Sequence, residues 1–348
     1  MVCVSRFLPL AAGSAAMTCV GGSVAVSAEI AHAPLFTIQS LRYAVACLLL
    51  LAFARLTRVR PVRPRGAEWL WLTGIAVTGL VIFNLALVQG ARHAEPAVLG
   101  VAVACVPVLL AALGPLLEGR GPAPSVLAGA VVVTIGAALV QGVGRTDGTG
   151  VAWAVVAFGC EAAFTLLAVP VLGRHGPVGV SVHTTWLAAV LLAVLGLLHE
   201  GPAAALRLTG ADLLAGAYLA VAVTAVAFVL WYLCVSRAGA GRAGLLTGIA
   251  PIAAALAGVA LGGPAPRPLV WVGIAVVGLG LVIGLRATRP PAGPRPAPDA
   301  LPAFPAPAVP PGGPDALPAF PAPAVPPGGS RPGPRTMPSA LAPSGEVA

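Results

Sequence analysis

Of the 348 residues, 58% are hydrophobic and only 9% are charged, against about 25% charged in a soluble domain. So few ionic groups cannot cover the surface of a water-soluble fold of this length, which excludes a soluble enzyme. The formal net charge of +9 comes from Arg alone, without Lys. Most of these Arg fall in short gaps between apolar runs, a membrane-topology pattern and not a nucleic-acid-binding one.

A span needs about 20 apolar residues to cross roughly 30 Å of hydrocarbon. Ten stretches have that length: Leu8–Ala28, Leu35–Ala54, Trp69–Ala91, Pro96–Leu117 and Pro124–Val143, then Gly150–Leu172, Val178–Leu198, Asp212–Ser236, Ala243–Leu261 and Pro268–Leu285. They must be helices, because a backbone in lipid has to satisfy its hydrogen bonds internally. The fold class expected is therefore an all-α integral membrane protein. Small-residue triplets at Val26-Ser27-Ala28 and Ala31-His32-Ala33 leave a cleavable signal peptide as an alternative for the first stretch. Its apolar run is long for a signal core, which favours a retained span.

Arg placement sets the expected orientation. With the N-terminus inside, the cytoplasmic side receives Arg6, Arg55, Arg58, Arg60, Arg63, Arg65, Arg120, Arg174, Arg237, Arg242, Arg286 and Arg289. The outside receives Arg92, Arg145, Arg207 and Arg267. A twelve-to-four split puts both termini in the cytoplasm of a bacterial inner membrane. Glu118 and Arg120 read as interfacial, and the basic stretch Arg55 to Arg65 as a topology anchor. Cys3, Cys19, Cys47, Cys105, Cys160 and Cys234 show no C-x-x-C spacing and read as small buried hydrophobes.

The chain repeats itself. At an offset of 144, Pro107 falls on Pro251, Gly114 on Gly258, and Gly129 and Gly136 on Gly273 and Gly280. An offset of 143 sets Pro34 on Pro177. Each half holds five spans, and an odd number per copy turns the second upside down in the bilayer. Such inverted repeats are characteristic of secondary transporters, with the substrate site near the midplane between the copies. The domain boundaries expected are residues 8–143 and 150–287 for the repeats and 288–348 for a tail.

The stretch Arg42-Tyr43-Ala44-Val45-Ala46, the small-residue run before Pro107, Leu116-Leu117-Glu118 and Gly248-Ile249-Ala250-Pro251 resemble the drug/metabolite transporter superfamily, in particular its ten-helix EamA-like exporters. The resemblance covers roughly residues 8–287 and implies a transporter, not an enzyme. It departs from the family pattern at Gly262, where an acid equivalent to Glu118 is common, and at Gly21-Gly22-Ser23, where an aromatic residue followed by Gly is common.

Charges inside spans are expensive, so those that remain must face protein or water. Glu161 in span six is the candidate coupling or substrate-contacting acid, able to exchange a proton in each cycle. Arg42 in span two is its counter-ion or the anchor of a substrate carboxylate, with Gln39 one turn earlier on the same face. Thr18, the repeat-mate of Glu161, and Asn84 and His183 are further candidates, each readable instead as a helix–helix hydrogen bond. Pro107 and Pro251 break their helices in matched positions and point to the pathway. Trp186, Trp231 and Tyr232 could line a cavity, the last two reading rather as interfacial anchors. Gly129, Gly136, Gly273, Gly278 and Gly280 allow close helix approach, with a homodimer interface as one candidate use.

After Arg289 the composition turns to Pro, Ala and Gly, and PDALPAFPAPAVPPGG occurs twice in tandem, at Pro298–Gly313 and Pro314–Gly329. Such a segment reads as disordered, extended chain. The function expected is secondary active export of a small metabolite, amino acid or drug-like compound across the lipid bilayer, with proton coupling and no cofactor, metal or nucleic acid. A passive channel would lack the coupling. A polytopic enzyme acting on a lipid-linked substrate is the alternative, but it needs an acid/His cluster at one membrane face, and His32, His93, His175 and His199 read as scattered.

Overall fold

The computed structural model describes residues 4–23, 26, 32–262 and 265–286. Cys3, Ser27, Ala28 and Ala31 of the two small-residue triplets, Arg289 and the Pro-rich tail lie outside the described residues. Ten apolar helices make up the described chain: α1 Val4–Gly22, α2 Leu35–Leu56, α3 Glu68–Gly90, α4 Pro96–Leu117, α5 Pro124–Gln141, α6 Gly148–Leu166, α7 Val169–His199, α8 Gly210–Ala238, α9 Ala240–Ala260 and α10 Pro268–Arg286. All but α1 are long and apolar enough to cross a bilayer. Large apolar side chains such as Leu48, Val155 and Leu198 stand exposed around the outside, as they do against lipid and not against water.

Local signals set the helix ends. Pro96, Pro124 and Pro268 open α4, α5 and α10, where a missing N–H costs nothing. Asp147 caps α6 by accepting from the Gly150 N–H, and Thr209 and Asp212 form a reciprocal capping box at α8. The N-terminus of α2 has no cap of its own. Glu200, after α7, supplies one by accepting from the Phe36 and Thr37 N–H groups at 2.8 and 2.9 Å. Glu118, expected at the interface, does the same across the repeats: its carboxylate accepts from the Ala240 N–H at 2.8 Å and pairs with Arg120.

Several boundaries differ from the sequence reading. Helix α1 begins at Val4, and its described part ends at Gly22 and not at Ala28. Span six stops at Leu166, because Pro170 lacks the N–H that would continue it. The chain restarts at Val169 and bends at Gly176 (φ 66°), a left-handed geometry natural for Gly, before Pro177.

The two halves share irregularities as well as helices. The middle of α3 is π-helical over Ala76–Ile82, and the middle of α8 over Leu219–Val226, so the segments begin 143 residues apart. Helix α4 breaks at Cys105, just before Pro107, and α9 has a 3-10 turn at Leu246–Gly248, just before Pro251. The proline carries no donor in either case, so the preceding turn loses a backbone bond.

Packing follows the same pseudo-symmetry. Helices α5 and α10 cross through their glycines: Gly129 lies against Gly280 and Gly284, and Gly136 against Gly273 and Val277. Rising numbers on one helix meet falling numbers on the other, so these repeat-mates are antiparallel and the two copies are inverted. Four of the five glycines considered for a dimer interface are thus used inside the chain, while Gly278 is exposed. Helix α2 packs on α7, α1 on α8 and α9, and α6 on α3 and α4.

At the face opposite the N-terminus, the α3–α4 and α5–α6 loops are tied together. Ala94 and Thr146 form an antiparallel bridge, flanked by Arg145–Glu95 at 2.8 Å and His93–Asp147 at 3.0 Å. The hydrogen bond from the Arg145 side chain holds the Glu95 carboxyl below its usual range. The Gly150 N–H, and then His93, do the same for Asp147.

Candidate functional site

One stripe of α6 faces the interior: Gly150, Ala154, Ala157, Glu161 and Phe164 follow at spacings of four and three. All are buried except Glu161, which is half-buried. Val151 and Val155, on the opposite side, are 48% and 61% exposed and face outward. A half-buried carboxyl on the buried side of a helix faces the neighbouring helices and not lipid. Among the described residues no hydrogen bond or ion pair holds it, and the Arg42–Glu161 pair is not formed.

Its depth follows from α3. Trp153 packs on Gly90, Phe164 on Gly79 and Leu167 on Gly74. On that antiparallel register Glu161 is about level with Ile82, within a turn of the middle of α3. Next along its stripe is Phe164, whose ring meets Phe228 at 4.9 Å and Tyr232 at 5.2 Å between centroids. The Tyr232 phenol lies within electrostatic reach of Glu161.

Arg42, Gln39 and Asn84 do come together. Arg42 Nε donates to Thr224 Oγ1 at 2.9 Å and Nη1 to Gln39 Oε1 at 3.2 Å, with the guanidinium 5.2 Å from the Tyr43 ring centroid. Gln39 donates to Asn84 at 3.0 Å, and Asn84 donates to the Tyr43 hydroxyl at 2.9 Å and to the Leu80 carbonyl. The network joins α2, α3 and α8 and grips α8 inside its π-helical segment, where Thr224 also donates to the Leu219 carbonyl five residues back. Leu219–Val226 is otherwise wholly apolar, so the sequence offered no signal that its one hydroxyl meets Arg42.

The other candidates lie elsewhere. Thr18 sits on the exposed stripe of α1 with Leu8, Ala11 and Ala15, and donates to its own Ser14 carbonyl, so no bond joins it to Glu161. His183 is not at mid-depth. It contacts the Val62 carbonyl of the α2–α3 loop at 2.8 Å, and its other ring nitrogen accepts from Trp186. Beside it His175, level with the start of α3, contacts Glu68 at 3.2 Å, and Glu68 also pairs with Arg174. The histidines are therefore less scattered than the sequence suggests, because the kink at Gly176 returns α7 past the first turn of α3. Among the described residues no group of three or more His, Cys, Asp or Glu is placed to hold a metal. Trp231 and Tyr232 are not interfacial anchors: both are buried, with Trp231 donating to Thr165 and Tyr232 to the Phe164 carbonyl. Among the described cysteines, Cys47, Cys160 and Cys234 are buried, Cys19 and Cys105 partly so, and all five are free.

A model of the EamA-like transporter family matches this chain twice, over residues 8–141 and 148–286. An uncharacterized transporter of Bacillus subtilis, YetK, is 27% identical over 293 residues, covering 81% of this chain and 88% of its own. A Streptantibioticus cattleyicolor protein named "Probable terminal-alkyne amino-acid exporter" is 27% identical over 231 residues, covering 65% of this chain and 76% of its own. One solved crystal structure shares the fold with a TM-score of 0.68 and 21% identity, covering 81% of this chain and 99% of that one.

Proposed function

The chain belongs to the EamA-like transporter family, and from that premise we propose that it exports a small metabolite or amino acid by alternating access, with Glu161 as the proton-exchanging acid. It is a multi-pass membrane protein that moves small molecules across the bilayer. The finer reading rests on one observation: Glu161 is the accessible, unpartnered carboxyl on an otherwise buried helix stripe near mid-depth. A carboxyl in that setting can take a proton from one side of the membrane and release it to the other. The name of the Streptantibioticus relative, an amino-acid exporter, is the reason amino acids come first among candidate substrates.

Asymmetry between the repeats supports an exchange of access. Phe164, Phe228, Trp231 and Tyr232 pack together between Glu161 and the N-terminal face. Their partners at an offset of 143 are Gly21, Leu85, Val88 and Gln89, which leaves the opposite half without that aromatic closure. The π-helical segments of α3 and α8 are the natural hinges, because a π turn re-registers a helix at little cost in length. The Arg bias supports a cytoplasmic N-terminal face, with both termini on that side. Arg42 and its partners hold α2, α3 and α8 together at the hinge, and Pro107 and Pro251 border the pathway.

The test is counterflow in proteoliposomes against amino acids, nucleosides and cationic drugs, with and without a pH gradient. The expectation is exchange of at least one compound, accelerated by the gradient, with the acceleration lost in Glu161→Gln. A Glu161→Gln protein whose flux still follows the gradient as wild type does would remove the coupling role.

A further inference from the structure

The face that carries the N-terminus has an excess of positive charge that the chain itself does not neutralise. Among the described residues two carboxylates stand there, and both are engaged. Glu68 pairs with Arg174 and accepts from the Arg65 N–H, and Glu118 pairs with Arg120 and accepts from the Ala240 N–H. The α2–α3 loop and the end of α2 carry Arg55, Arg58, Arg60, Arg63 and Arg65, with no acid between Glu29 and Glu68. All five are exposed, and no described group pairs with their guanidiniums or accepts a hydrogen bond from them.

The backbone beneath these charges is held in place. His183 Nε2, from α7, donates to the Val62 carbonyl at 2.8 Å, and Arg174 Nη2 donates to the Arg63 carbonyl at 3.2 Å. The Glu68 carboxylate accepts from the Arg65 N–H at 2.8 Å. Pro61 and Pro64 fix φ within the same stretch. Arg60, Arg63 and Arg65 therefore project from a segment that contacts with α3 and α7 have already ordered. Charge that served topology alone would need only its sign and its place in the chain, not this anchorage.

The loop also offers apolar surface. Leu56, at the end of α2, is 84% exposed and Leu70, in the first turn of α3, is 77% exposed, with Val59, Val62 and Trp69 exposed between them. A soluble anion would meet the guanidiniums and leave this fringe unused. A phospholipid meets both, with its phosphate among the Arg side chains and its acyl chains beside the helix ends. We propose that the α2–α3 loop is a docking site for an anionic phospholipid, whose phosphodiester rests among Arg60, Arg63 and Arg65. The site is independent of Glu161 and of the compound that is moved.

The test is native mass spectrometry of the full-length protein, delipidated in detergent and titrated with phosphatidylglycerol or phosphatidylcholine of the same acyl chains. Phosphatidylglycerol should bind at least about tenfold more tightly, because phosphatidylcholine brings a cation of its own to the cluster. Arg60→Gln and Arg63→Gln should each weaken the first phosphatidylglycerol about fivefold, the effect of one basic residue near an anionic surface. Arg267→Gln, on the opposite face, should leave it unchanged. His183→Phe keeps every loop charge but frees the Val62 carbonyl, and should weaken binding about threefold or more, because the loop must then be ordered on binding. His183→Gln, which can still donate to that carbonyl, should restore part of it. Glycerol 1-phosphate, which lacks acyl chains, should not displace the lipid at millimolar concentration. Equal affinity for the two lipids overturns the proposal. So does equal weakening by Arg60→Gln and Arg267→Gln, which would trace the effect to net charge. Unchanged binding in His183→Phe removes the ordered site, and displacement by glycerol 1-phosphate assigns the loop to soluble anions instead.

Discussion

The α5–α10 crossing offers the sharpest test of the fold, because its glycines permit contacts that no side chain would. A Cβ at Gly136 would stand 2.6 Å from the Val277 nitrogen and 2.9 Å from the Gly273 oxygen. At Gly273 it would stand 2.8 Å from the Gly136 oxygen and 2.9 Å from the Val140 nitrogen. These neighbours are backbone atoms in helices and cannot rotate away, so α5 and α10 must move apart along a shared seam. Overpacking of this kind costs about 1–3 kcal/mol, while replacing helical Gly by Ala returns about 0.8–1 kcal/mol of helix propensity. Gly278, next to Val277 but turned off the seam, has nothing within 4 Å and would show the propensity gain alone. The expectation is that Gly136→Ala and Gly273→Ala lower the unfolding midpoint in detergent, whereas Gly278→Ala leaves it unchanged or raises it. In lipid there is no hydrophobic drive to restore a loosened helix pair, so the loss should also appear as aggregation on size exclusion. If Gly136→Ala and Gly278→Ala unfold alike, the two repeats do not meet along this seam.

Three further outcomes follow from particular contacts. Replacing Arg42 by Met should lower the unfolding midpoint, because Thr224 and Gln39 lose a donor at about 1–3 kcal/mol for each polar group left unsatisfied. Arg42→Lys should rescue only partly, since one ammonium cannot reproduce the two-pronged Nε and Nη1 geometry. Acid should loosen the strap between the α3–α4 and α5–α6 loops. The carboxyls of Glu95 and Asp147 are held below their usual range, so their contribution is present above the unfolded values, about 4, and is lost as pH falls through the lower folded ones. Protection factors in the first turn of α6, with exchange corrected for its intrinsic pH dependence, should therefore match at pH 7 and pH 5 and fall below about pH 4. They should be low at both higher values in Asp147→Ala, and equal protection in that variant would refute the cap. Truncation after residue 290 should leave flux and insertion unchanged, and a correctly inserted truncate without flux would give the tail a role.

Much of the architecture could be read from the chain because a bilayer imposes a simple rule. Apolar runs of span length must be helices, so α2 to α5 and α8 to α10 lie where hydropathy and Pro/Gly punctuation put them. The matched prolines and glycines similarly announced two copies. The errors cluster where a local break overrides hydropathy. Pro170 and Gly176 redraw the α6–α7 boundary, and the π turns of α3 and α8 leave no trace in residue type. Glu161 and Arg42 stood out because charge inside a span is rare, and Gln39 could be placed beside Arg42 by helical spacing alone. His183 could not be placed, because its partner is a carbonyl in a loop 121 residues away in sequence.

Composition and periodicity alone determined that this chain lives in a membrane, how its helices are counted, and which two charges needed explaining. The transfer cost of each residue into lipid acts locally, and local costs can be read along a chain. Tertiary structure alone decided that Arg42 is engaged by Thr224 and Gln39 while Glu161 is left half-buried without a partner among the described residues, and that the seam glycines meet each other. Those outcomes depend on which helix faces which, at what register, and contacts between residues far apart in sequence are specified only once the helices are packed.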